Sequence, residues 1–159
     1  MPFTPFHLGP GAVFKAIGSD RFSFMIFGGS QILMDLEPLA RIIRGDAILH
    51  GISHNVAGAF VIALASALIG RPVTNAARRY SRIIEHPVSW PTALASAFVG
   101  TYSHIALDAV MHADMNPFWP LAGGNPLLGL LSLTELHLAC IFSGLLGGSV
   151  IAIRAVRRP

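Results

Sequence analysis

The chain has 159 residues, 53% hydrophobic and only 12% charged, with a mean hydropathy of +0.61. A soluble domain carries about 25% charged residues, so the composition argues against one and for a membrane protein of a single domain, 1–159. The net charge of +3 and pI of 9.8 would suit a nucleic-acid binder, but the basic residues fall at the ends of apolar segments, and no nucleic-acid partner is expected.

The start, MPFTPFHLGPG, lacks the basic and long apolar regions of a cleavable signal peptide. The first hydrophobic helices are therefore expected to direct insertion. Residues 8–18 are apolar but too short to span. Gly18-Ser19-Asp20-Arg21 reads as a turn. A hairpin with arms 8–18 and 22–35 would bring Asp35 back to the level of His7. Arms of about 16–21 Å at helical rise fall short of a hydrocarbon core, so the hairpin is expected to be partly sunk or re-entrant.

Four longer stretches reach the roughly 17–25 residues of a spanning helix: 22–39, 47–70 (ended by Arg71-Pro72), 88–110 and 127–153. The expected fold is an all-α polytopic membrane helical bundle. It comprises about four long helices plus a short N-terminal helical hairpin arm. The basic 71–87 loop follows the second stretch. The 111–126 loop holds Asn116-Pro117-Phe118-Trp119-Pro120 and Gly123-Gly124-Asn125-Pro126, turn formers with interfacial aromatics suited to capping a site. Gly144-xxx-Gly148 is a small-residue packing pair. The single cysteine, Cys140, excludes an intrachain disulfide and reads as a small core residue.

Arg71, Arg78, Arg79, Arg82, Arg154, Arg157 and Arg158 cluster after the second and last stretches. Only Arg41 and Arg44 lie between the first two, and none lies in 111–126. By the positive-inside rule, the 71–87 loop and the C-terminus are cytoplasmic. The 40–46 and 111–126 loops then lie on the outer side.

Seven residues able to bind a metal gather near the outer segment ends in this topology: His7, Asp35, His50, His54, His104, Asp108 and His112. Ionisable groups at membrane depth are costly and mark function. His104-xxx-Asp108-xxx-His112 places three groups on one helix face. A stripe of about 12 Å is too long for one ion but suits two ions bridged by Asp108. His50-xxx-His54 repeats the four-residue spacing at the start of the preceding helix. Imidazole and carboxylate together suit zinc, and also iron or manganese. Among the other polar groups, Glu37 reads as interfacial or as a support behind the ligands, and His86 as solvent-exposed. Glu135 and His137 face different sides of a helix, where either could support a ligand, and Asp114 reads as a ligand or, in preference, as the cap of the turn at Asn116-Pro117.

Pro2-Phe3-Thr4-Pro5-Phe6-His7, Asp35-Leu36-Glu37-Pro38, His50-Gly51-Ile52-Ser53-His54 and His104-Ile105-Ala106-Leu107-Asp108 resemble, in their order, the motifs of the YdjM-like inner-membrane family of metal-dependent hydrolases of bacteria. Three positions depart from that pattern: Met34 stands for a proline, Glu37 for an aspartate and Gly51 for an arginine. The same order of ligands is distantly similar to zinc-dependent phospholipase C and its related single-strand nucleases, whose final His-xxx-Glu pair has no clear match here. The resemblance implies a bacterial inner (cytoplasmic) membrane protein, multi-pass, with its site toward the outer half. It would bind one or two divalent ions, zinc first. The implied reaction is metal-activated hydrolysis of a phosphoester in a lipid or lipid-linked substrate, with Asp35 or Glu37 as general base and Arg41 and Arg44 as head-group contacts. A metal or proton transporter, and a non-catalytic assembly protein with a structural metal, are the alternatives; a homo-oligomer is compatible with each.

Overall fold

The computed structural model describes residues 5–80 and 86–157. Ser81, Arg82, Arg158 and the opening Pro2-Phe3-Thr4 lie outside them. Among the described residues there are five α-helices and no strand. They are α1 (Leu8–Gly18), α2 (Phe24–Arg44), α3 (Val56–Ala77), α4 (Trp90–Met111) and α5 (Leu133–Arg157). The bundle is all-α, as the sequence predicts.

The boundaries follow local chemistry. Single 3-10 turns, Pro5–His7 and Ser19–Arg21, precede and follow α1. Ser23 caps α2 by accepting from Ile26 N–H. The second arm does not stop at Asp35; it continues to Arg44, where Gly45 at φ 75° closes the helix with N–H bonds to Arg41 and Ile42 carbonyls. Glycine adopts that left-handed geometry without the Cβ penalty. Pro38 is accommodated inside α2, with Ser53 Oγ 3.5 Å from the Met34 carbonyl that Pro38 has no N–H to reach.

The expected helix from residue 47 is the largest boundary error. α3 starts at Val56, where the Asn55 side chain accepts from Gly58 N–H at 2.8 Å, and it runs through Pro72 to Ala77. His50 and His54 therefore stand on the 46–55 loop and not on a helix face. Ser89 caps α4 with Pro91 in its first turn, a position where the missing N–H costs nothing. Ser132 and Glu135 exchange bonds at the start of α5 (Ser132 N–H to Glu135 Oε2, 2.8 Å). That capping box sets the start six residues later than the sequence suggests.

α2, α3 and α4 form a three-helix core. α4 runs parallel to α2, tied by Ser23 N–H to Ser96 Oγ (2.8 Å) and Gln31 Nε2 to the Gly100 carbonyl (3.0 Å). α3 runs against both, with Gly70 beside Ile26 and Ala59 beside Met34. Ala59, Ala63, Ala67, Ala93, Ala97 and Ala109 are fully buried between them. Small side chains permit close backbone approach, the usual basis of helix association in a bilayer. α5 packs along α1, in parallel, and barely touches the other helices. Gly9 and Gly147 face backbone there, and Gly144 approaches the Gly9 Cα. The expected Gly144–Gly148 pair is thus corrected to Gly144–Gly147, because Gly148 faces open space.

Among the described residues three helices, α3, α4 and α5, are long and apolar enough to cross a membrane, one fewer than expected. α2 has the length but carries Gln31, Asp35, Glu37, Arg41 and Arg44. Large apolar side chains such as Phe60, Leu64, Leu68, Phe142 and Leu146 are exposed along α3 and α5, where lipid would cover them. One end of the bundle collects Lys15, Arg21, Arg71, Arg78, Arg79, Arg154 and Arg157. The other end holds Arg41 and Arg44, joined to Glu37 and Asp46 at 2.8 and 3.0 Å.

Candidate metal centre

At the less basic end, α2 supplies Asp35, α4 supplies His104 and Asp108, and the 46–55 loop supplies His50 and His54. His112 caps α4 with extended backbone, and His7 closes the 3-10 turn before α1. All seven sequence-predicted residues converge here. Two sets of ligand atoms lie close enough to hold an ion: Asp35, His54, His104 and Asp108, and separately His50, Asp108 and His112. Asp108 belongs to both.

The loop geometry is built by two carboxylates. Glu37 Oε1 accepts from Ile52 N–H (3.1 Å) and Arg41 Nε (2.8 Å), and Oε2 accepts from Ser53 N–H (2.7 Å) and the Ser53 hydroxyl. A Cβ at Gly51 would run into the Arg41 guanidinium and the Glu37 carboxylate and push these two side-chain ends aside. Asp114 Oδ2 accepts from Leu49 N–H (2.8 Å) and His50 N–H (3.1 Å). Partial burial works to raise the Asp114 carboxyl, but these bonds outweigh it and bring its pKa down to about 2.

The imidazole tautomers follow from their partners. Ser53 Oγ lies 2.7 Å from His54 Nδ1 and gives its own proton to the acceptor-only Glu37, so His54 Nδ1–H donates to Oγ. Gln31 turns its amide N–H toward the Gly100 carbonyl, leaving Oε1 to accept from His104 Nδ1–H at 2.6 Å. Asp114 Oδ1 accepts from His50 Nδ1–H at 2.9 Å. Each ring thus keeps its Nε2 lone pair for a ligand, the pattern by which carboxylates and amides orient metal-binding histidines. Burial lowers the pKa of His54 and takes His7 to about 4, so both are neutral near pH 7, the form that binds metal.

The distances match an ion. His104 Nε2 lies 3.0 Å from Asp108 Oδ2, 3.3 Å from Asp35 Oδ1 and 3.3 Å from His54 Nε2. His54 Nε2 lies 3.4 Å from Asp108 Oδ2. Tetrahedral zinc with bonds of about 2.0–2.1 Å sets its ligand atoms about 3.3–3.4 Å apart. Two carboxylates face His104 Nε2, so this corner of the site calls for positive charge, which a bound ion or a proton on the ring supplies. His7 adds a further sign. It is 4% exposed, neither ring nitrogen has a hydrogen-bond partner among the described residues, and Nε2 points at Asp108 Oδ1 from 3.3 Å. A buried polar group without a partner costs about 1–3 kcal/mol, which a bound ion would offset.

The second set is more open. His112 stacks on His50 with ring centroids 4.1 Å apart, its Nε2 is 4.0 Å from Asp108 Oδ1, and its side chain is 22% exposed against 0–8% for His7, Asp35, His54, His104 and Asp108. The 112–126 loop closes over this end: Pro117 is fully buried, its carbonyl accepts from Val56 N–H (2.8 Å), and Asn125 bonds the Ala109 and His112 carbonyls.

Gln31, Ser53 and Asp114 are the functional residues that the sequence reading missed in these roles. Gln31 sits four residues before Asp35, on the same helix face, and that spacing was the available signal. The sequence reads Asp114 as a ligand or a turn cap, whereas its carboxylate orients His50. Glu37 takes the supporting role that the sequence offers it beside that of base: its carboxylate holds the loop. His137 stacks on Phe6 at 4.2 Å, Glu135 caps α5, and His86 is exposed.

The fold and site define an all-helical bundle of membrane type with a buried His/Asp cluster able to hold a metal ion. No family model matches the chain, and no curated protein or solved structure matches it.

Proposed function

We propose that the protein is a membrane-bound metal-dependent hydrolase whose cluster holds two divalent ions, zinc first, bridged by Asp108. The observation that carries this is the pair of ligand sets with different closure. Asp35, His54, His104 and Asp108 supply four ligands, the count of a closed zinc site, though from imidazole and carboxylate instead of the thiolates common in structural ones. His50, Asp108 and His112 make three ligands beside an accessible side, the arrangement of a catalytic one.

The substrate we infer is a phosphoester of a lipid or lipid-linked molecule, reached from the His112 side. A divalent ion, when bound, supplies activation of water and offsets charge on phosphate oxygens. The chain's own residues do the rest. Glu37 through Ser53, Gln31 and Asp114 hold the imidazoles in one tautomer, and the Pro117 loop limits water. Asp35 belongs to the four-ligand set, where its carboxylate serves as a ligand and not as the base. Arg41 braces the loop through Glu37, which argues against a head-group role.

The test is release of nitrophenol from bis-nitrophenyl phosphate by detergent-purified protein loaded with zinc. Turnover abolished by a chelator and restored by zinc is expected. Full metal loading without turnover would sink the hydrolase and favour the second reading, a structural metal in an assembly protein, which the closed four-ligand set by itself supports.

We also propose that the protein lies in a bacterial inner membrane with the site toward the outer half. The opposite basic end fits the cytoplasmic side. With Cys140 replaced by alanine, an impermeant thiol reagent should label Asn116→Cys but not Tyr80→Cys in intact cells. The reverse pattern would move the site to the inner face.

A further inference from the structure

At the basic end, the cleft between the α1–α5 pair and the α2–α3–α4 core opens into a cavity of about 410 Å³. Its floor is polar and buried, formed by Thr74 and Thr92, and its rim carries the exposed Arg154 and His86 with the half-buried Lys15. Its walls are apolar, and three of them, Phe24, Met25 and Ile151, are 36–46% exposed, so the cleft opens sideways toward lipid.

The cations at the rim are only partly used. Lys15 Nζ donates to the Ser19 and Phe22 carbonyls at 2.6 and 3.1 Å, fixing the α1–α2 turn. Arg154 gives one N–H to the Ala16 carbonyl. A guanidinium has five donors, so most of the fork remains for a ligand. Asp20 is the one described acid at the cavity. Basic pockets between membrane helices on the positive side suit anionic head groups.

We propose that this cleft binds the phosphate headgroup of an anionic phospholipid, with Arg154 and Lys15 on the phosphate and acyl chains along Phe24, Met25 and Ile151. The lateral apolar opening favours a lipid over free phosphate, which would gain nothing from those walls. The site is separate from the metal cluster and does not depend on the hydrolase reading. A lipid wedged here would join α5, which the core barely contacts, to α2, α3 and α4.

The test is native mass spectrometry of the full chain released from nanodiscs of phosphatidylglycerol or phosphatidylcholine. One phosphatidylglycerol should stay bound, and phosphatidylcholine should not. Arg154→Gln should reduce the retained fraction about fivefold, the loss expected for one basic contact at the membrane surface. Arg157→Gln, on the same helix end but off the cavity lining, should retain it. Met25→Trp, which fills the cleft without touching a charge, should also lose the lipid. Equal loss in Arg154→Gln and Arg157→Gln, retention in Met25→Trp, or equal retention of both lipids would overturn the proposal. Displacement of the lipid by millimolar inorganic phosphate would overturn it too, by assigning the cleft to a free anion.

Discussion

Asp108→Asn is expected to remove metal binding and hydrolysis together. Asp108 is the residue common to both ligand sets, and its two oxygens face His7, His54 and His104 at 3.0–3.4 Å. Asparagine keeps the volume but removes the charge that offsets two cations. The loss of metal affinity should exceed the 10–100-fold typical of residues that only support a ligand. Wild-type protein in zinc at about 1,000 times Kd gains about 4 kcal/mol, or about 8–16 °C in melting at this chain size. The variant should show no such shift. Without metal, it should melt at or above wild type, because an ionised acid at membrane depth is unfavourable without the ion that offsets it. His86→Ala, at the far end, should behave as wild type for metal. Measured metal content and melting with and without chelator decide this. Full metal and a wild-type zinc shift in Asp108→Asn would remove Asp108 from the cluster.

His54→Ala and His112→Ala are expected to separate the two ions. His54 is fully buried and is held by Ser53 and Glu37. Its removal opens the four-ligand set and should cost one equivalent of metal and most of the zinc-dependent melting shift. His112 sits at the exposed edge of the three-ligand set. Its alanine variant should keep the closed ion and most of the melting shift, while turnover falls by more than about 100-fold, as for loss of a ligand rather than of its support. Identical metal content and melting in the two variants would contradict two distinct sites. Unchanged turnover in His112→Ala would take the reaction away from that side of the cluster.

Much of the candidate site is legible in the sequence because its members repeat at helical spacing. His104, Asp108 and His112 lie four apart, and the structure puts them on one stripe with Asp108 in the middle. A hairpin at residues 18–21 brings His7 and Asp35 to one level, and both flank Asp108 and His104 in the fold. His50 and His54 share the same spacing, yet they sit on a loop. Spacing carries no information about whether the backbone is helical when Asn55 can cap a later start and Glu37 can bind the loop's own N–H groups.

Composition, apolar run lengths and the placement of arginines by themselves determined an all-helical bundle with a polar cluster at its less basic end, because the cost of polar groups in an apolar setting is a property of the residues. Tertiary structure alone decided which atoms come close enough to hold an ion. Gln31, Ser53 and Asp114 gain their roles only when helices and loops from distant parts of the chain meet, since the proton on an imidazole is assigned by whichever acceptor packs against Nδ1. It also decided that α5 rests on α1 through Gly9, Gly144 and Gly147. Close approach of two backbones depends on which helix faces turn toward each other, and both faces are apolar in sequence.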